Sequence, residues 1–98
     1  MSRWIHAIAC AGVLMLGVSA ASAEPVCALK SVKAMGRPAL LASAARSKAR
    51  SAWMRKVAAN RRLGKSYASW LRASEPAYNC RKTGKRFVCE AKARPCKN

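Results

Sequence analysis

Alternation with period two is clearest near the C-terminus, in Tyr78-Asn79-Cys80-Arg81-Lys82 and again in Phe87-Val88-Cys89-Glu90-Ala91-Lys92-Ala93-Arg94. Tyr78 and Cys80 share one face, as do Phe87, Cys89, Ala91 and Ala93, while Glu90, Lys92 and Arg94 point the other way. Thr83-Gly84-Lys85 supplies a turn between the two runs, so the pattern predicts a β-hairpin. With Cys80 opposite Cys89, Lys82 pairs with Phe87 and a loop of about four residues remains.

Upstream the period changes. Residues 26–35 read as a first strand, with Val26, Ala28, Val32 and Ala34 of one parity, Lys30 interrupting it, and Gly36-Arg37-Pro38 as its boundary. Pro38 suits the first position of a helix. Residues 39–62 are helix-forming throughout, rich in Ala with Lys and Arg and free of internal Gly or Pro. At 100° per residue, Ala42, Ala45, Ala49, Ala52, Trp53 and Val57 form one stripe, with Lys56 inside it as a snorkelling side chain. Alanine in the first half of that stripe predicts a close approach of the helix axis to a sheet. Gly64 is the expected stop, and some 25 helical residues would measure about 37 Å. Residues 66–73 predict a short second helix capped by Ser66, with Tyr67, Trp70 and Leu71 on one face, ended by Ser74-Glu75-Pro76.

The first 23 residues carry a third pattern. Arg3 is a short positive region, residues 5–18 are apolar, and Ala21-Ser22-Ala23 is a small-x-small site ahead of Glu24. That is the anatomy of a cleaved signal peptide over residues 1–23, leaving residues 24–98 as a single small basic disulfide-stabilised domain in a periplasmic or secreted location. Cys10 and His6 leave with the leader. A chain of 98 minus 23, or 75, residues has a thin core, and four cysteines in an exported domain read as two disulfides. Three pairings are open. The hairpin register favours Cys80 with Cys89, which leaves Cys27 and Cys96 to join the two ends.

These pieces predict an α+β fold. In it a long helix packs on a three-stranded sheet in a small β-α-β-β layer, the helix making a right-handed crossover between the parallel outer strands.

Charge then narrows the chemistry. Twenty Lys and Arg stand against three acids, a net charge of +17 that becomes +16 when the leader takes Arg3. No acid occurs in residues 25–74, which hold twelve Lys or Arg. Outside the leader there is no His, and the chain has no Asp. General acid–base work and nucleophilic triads draw on those residue types. Hard cations need several carboxylates, zinc knuckles need closely spaced cysteine pairs, and no Gly-rich phosphate loop is present. The sequence therefore predicts no enzyme, no catalytic residue, no metal site, no cofactor and no small-molecule substrate.

The spacing Ala49-x-x-Ala52-Trp53-x-x-Lys56-Val57, then Gly64-x-x-Tyr67-x-x-Trp70, then Tyr78-x-Cys80, then Cys89-x-Ala91-x-Ala93-x-Pro95-Cys96 resembles a group of small exported bacterial proteins of uncharacterised activity. The likeness spans most of residues 26–97. It implies an exported domain and brings no functional residue with it.

What remains is charge. An anionic polymer or a membrane surface is the expected partner, bound as envelope polyanion, lipid headgroup or nucleic acid without sequence reading. The candidate anion-binding residues are Arg55, Arg61, Arg62, Arg81, Lys82, Lys85 and Arg86. The alternative is a cationic antibacterial or inhibitor-like interaction protein, disfavoured because a half-alanine stripe is a weak insertion face. A third reading is a solvated basic surface with no partner.

Overall fold

A computed structural model of the chain describes residues 26–98; the leader expected over residues 1–23 lies outside the described residues. In chain order the elements are β1 (Val26–Cys27), β2 (Val32–Met35), α1 (Ala42–Ala59), a 3-10 turn (Lys65–Tyr67), β3 (Ser74–Thr83), β4 (Arg86–Arg94) and β5 (Cys96–Lys97). Both sheets are antiparallel: one has the order β2-β4-β3, and β1 pairs with β5 in the other. Since β2 and β3 both run opposite to β4, they run parallel to each other, with α1 between them in the chain. Among the described residues no helix is long and apolar enough to cross a membrane.

The hairpin follows the alternation. Cys80 stands opposite Cys89 and Lys82 opposite Phe87, and pairing continues to Thr83 and Arg86. The loop is therefore Gly84-Lys85, two residues shorter than the reading above. Gly84 has φ 63°, in the left-handed region that a two-residue hairpin turn demands and glycine adopts without strain. β3 begins before Tyr78, at Ser74, and is bulged between Ser74 and Ala77, where Glu75 has φ 55°. Disulfides join Cys27 to Cys96 and Cys80 to Cys89, the pairing that the hairpin register favoured.

The first predicted strand is two strands. Val26 and Cys27 pair with Lys97 and Cys96, and Val32 to Met35 pair with Ala93 to Glu90. The break lies opposite Pro95. Proline has no N–H to give to a ladder, so residues 28–31 leave the sheet, tethered where the Ala28 amide donates to the Pro95 carbonyl at 2.8 Å.

The helix is shorter than predicted at both ends, 18 residues or about 27 Å. Residues after Pro38 do not start it, because Ala39 is engaged by β4: the Ala39 amide donates to the Phe87 carbonyl at 2.9 Å and the Phe87 amide donates back at 2.7 Å. Leu41 then serves as N-cap with no side-chain hydrogen bond. At the other end Asn60, not Gly64, ends the helix. The Asn60 side-chain oxygen accepts from the Arg62 amide at 2.8 Å, and its carbonyl accepts from Leu63 and Gly64.

Residues 66–73 form only the 3-10 turn and an irregular return. An eight-residue helix has little stability of its own, and the aromatic side chains here take partners that a regular helix would not offer. Trp70 packs edge-on against Trp53 with ring centroids 5.1 Å apart, and against Tyr78 at 5.3 Å. Leu71, predicted to share their face, is 95% exposed.

Alanine fills the space between α1 and the sheet. Ala45, Ala49, Trp53 and Val57 are fully buried against Ala34, Cys89, Ala91 and Ala93. Trp53 lies across the β2–β4 junction, its indole N–H donating to the carbonyls of Val32 (3.0 Å) and Ala93 (3.4 Å), which face each other in the register. Lys56 snorkels as expected, its ammonium donating to the Lys33 carbonyl on the free edge of β2 at 2.6 Å. The closest approach is at Gly36, where a Cβ would lie 2.7 Å from the Ala49 Cα.

Two substitutions test this contact. Gly36→Ala and Ala49→Leu each overfill it and should cost about 1–3 kcal/mol in urea melts of the oxidised protein. Ala59→Leu, on the exposed side of α1, should change stability by less than about 0.5 kcal/mol. Equal costs at positions 49 and 59 would contradict the packing.

Candidate functional site

Because Gly36 has no side chain, the end of β2 comes close to the helix backbone, and the side chains flanking that contact enclose a groove. It measures about 620 Å³ and is lined by Met35, Gly36, Arg37, Ser47, Lys48, Ser51, Ala52 and Arg55. Lys48, Ser51 and Arg55 are spaced i, i+3, i+7, which puts them on one flank of α1 over two turns, about 10.5 Å. Arg37 faces them from the segment that follows β2. The lining therefore carries three cations and two hydroxyls and no carboxylate.

The acids lie elsewhere. Among the described residues only Glu75 and Glu90 are acidic. Glu75 is at the β3 bulge, and Glu90 pairs with Met35 and Asn79 across the sheet and lines a separate hollow with Lys33 and Lys92. Both disulfides together use all four cysteines among the described residues, so no thiol is free there.

The seven residues proposed from sequence are all exposed, and they fall in three places. Arg55 lines the groove. Arg81, Lys82, Lys85 and Arg86 surround the hairpin tip, where the Lys82 ammonium lies 5.8 Å from the centre of the Phe87 ring. Arg61 and Arg62 lie in the turn beyond the helix C-terminus. The helix follows β4 from the Ala39–Phe87 bridge to the Trp53–Ala93 hydrogen bond. The hairpin tip is thus beside the helix start, and Arg61 and Arg62 lie past its end, separated from the tip by roughly the helix length of about 27 Å. That is several Debye lengths at physiological salt, so these cations do not act as one patch.

Arg37 and Lys48 were missed as site residues. The i, i+7 spacing of Lys48 and Arg55 was available as a signal. The partnership of Arg37 was not, because it follows from the close approach at Gly36.

No protein-family model, characterised protein or solved structure matches the chain.

Like charges gathered in the groove repel, and salt screens them. Neutralising one of them, as in Lys48→Gln, should raise stability by up to about 0.5 kcal/mol at low salt. The gain should vanish by about 0.5 M salt. A loss of stability at low salt would mean that Lys48 is held by a favourable contact.

Proposed function

We propose that this protein is an exported, periplasmic or secreted, non-enzymatic module that binds anionic partners bearing phosphate or sulfate groups. The observation that supports it best is the groove between α1 and β2, where Arg37, Lys48 and Arg55 converge with Ser47 and Ser51 and no acid stands among them. Guanidinium groups give paired, planar donors to phosphate oxygens, and hydroxyls complete the hydrogen bonding. Recognition on this reading is by charge, with no reading of base sequence. The disulfides fit an oxidising compartment. The chain order of β2, α1, β3 and β4 fits a β-α-β-β layer with α1 as a right-handed crossover, which would keep the groove on the free-edge side of β2.

Binding of fluorescent inorganic polyphosphate as a function of salt tests this. Log affinity should fall linearly with log salt, by about 0.7 per phosphate contact for a flexible single chain. The triple variant Arg37→Gln/Lys48→Gln/Arg55→Gln should bind more weakly, with a slope shallower by about 2. Arg61→Gln/Arg62→Gln/Lys65→Gln removes the same charge at the far end and should lose much less. Equal losses would mean that affinity follows net charge alone, and unchanged binding by the groove variant would remove the site.

A further inference from the structure

Among the large apolar side chains exposed in the described residues, Leu29 stands alone at 97% exposure, and Leu71, 95% exposed, lies beside Met54 and Trp70 at a separate hollow. Leu40 and Leu41 differ. They are adjacent, 64% and 66% exposed, and are held against the hairpin tip by the two hydrogen bonds between Ala39 and Phe87. The tip carries Lys85 and Arg86, with Arg81 and Lys82 behind them on β3 and Arg37 on the near side. The acid nearest this end is Glu90, opposite Asn79 and Met35, so one carboxylate stands against those five cations.

Leu41 is also a poor choice for its local task. It occupies the N-cap, makes no side-chain hydrogen bond there, and stands where Ser, Thr, Asp or Asn would stabilise the helix. A residue that breaks a local rule while exposing an apolar side chain calls for a reason beyond folding.

We propose that this end of the protein docks on anionic lipid bilayers. Leu40 and Leu41 enter the boundary between headgroups and acyl chains, and Arg37, Arg81, Lys82, Lys85 and Arg86 lie on the lipid phosphates. The inference rests on the anion-binding reading and gives it a partner. A soluble polyanion satisfies the cations but offers nothing to two exposed leucines. An anionic membrane satisfies both, since interfacial binding combines buried apolar area with attraction to acidic headgroups.

The experiment is co-sedimentation of the oxidised protein with vesicles of phosphatidylglycerol and phosphatidylcholine, or of phosphatidylcholine alone, beside polyphosphate binding. The protein should bind the anionic vesicles and not the neutral ones. Leu40→Ser/Leu41→Ser should weaken vesicle binding by about tenfold or more while leaving polyphosphate affinity within about twofold. Its melting temperature should not fall, because serine at position 41 supplies the missing cap. If it does fall, Leu40→Trp is read instead: its added fluorescence should shift to the blue on anionic vesicles, and no shift overturns the docking. Vesicle binding by the double serine variant equal to wild type also overturns it, leaving charge adsorption alone. Polyphosphate binding without vesicle binding refutes the membrane inference and leaves the anion-binding reading standing. Failure of both refutes both.

Discussion

Like-charge repulsion is the term that the rest of this structure has to offset. Residues 26–98 hold 19 Lys and Arg and two Glu, a difference of +17, too one-sided for internal ion pairs to balance. The core that opposes this repulsion is small: six alanines, Trp53, Val57, Pro95 and two cysteines make up its buried apolar side chains among the described residues. Alanine buries little area, so the hydrophobic contribution is correspondingly thin. The covalent cross-links are therefore central. In the chain-entropy account, the Cys27–Cys96 bridge, 69 residues apart, contributes about 4.4 kcal/mol, and the Cys80–Cys89 bridge, nine apart, about 2.7 kcal/mol. The longer one also closes the molecule at β1 and β5, next to the residue that interrupts the sheet.

Small side chains set the geometry as well as the energy. Ala45 and Ala49 on the helix and Gly36 at the end of β2 let the helix backbone come almost into contact with the sheet. Trp53, the largest fully buried side chain, then locks the far half by hydrogen-bonding two facing strand carbonyls. Cations that cannot enter so tight a contact are displaced to its margins. One margin is the groove of Arg37, Lys48 and Arg55; another is the hairpin tip.

Local periodicity made part of this legible. The two-residue alternation in the hairpin favoured Cys80 opposite Cys89 and put Cys89, Ala91 and Ala93 on one shared face, which is the buried one, and the helical stripe found Ala45, Ala49, Trp53 and Val57. Those signals are local, because a period is a property of one element. What was not legible depends on a partner. Residues 26–35 look continuous until Pro95 stands opposite their middle, and Ala39 reads as helical until Phe87 takes its amide. Residues 66–73 have helical spacing, yet Trp70 packs against Trp53 and Tyr78 instead. The groove was hidden for the same reason: Arg37 and Lys48 are eleven positions apart, and only the missing side chain at Gly36 brings them together.

If repulsion limits stability and the basic surface binds anions, folding and binding must be linked, since a ligand that prefers the folded state stabilises it. The most direct measurement is the melting temperature of the oxidised protein at low ionic strength, titrated with polyphosphate and, separately, with sodium chloride. The account predicts that polyphosphate raises the melting temperature at concentrations far below those at which sodium chloride has any effect. Identical curves at equal ionic strength would show that the charge is merely screened and would contradict it.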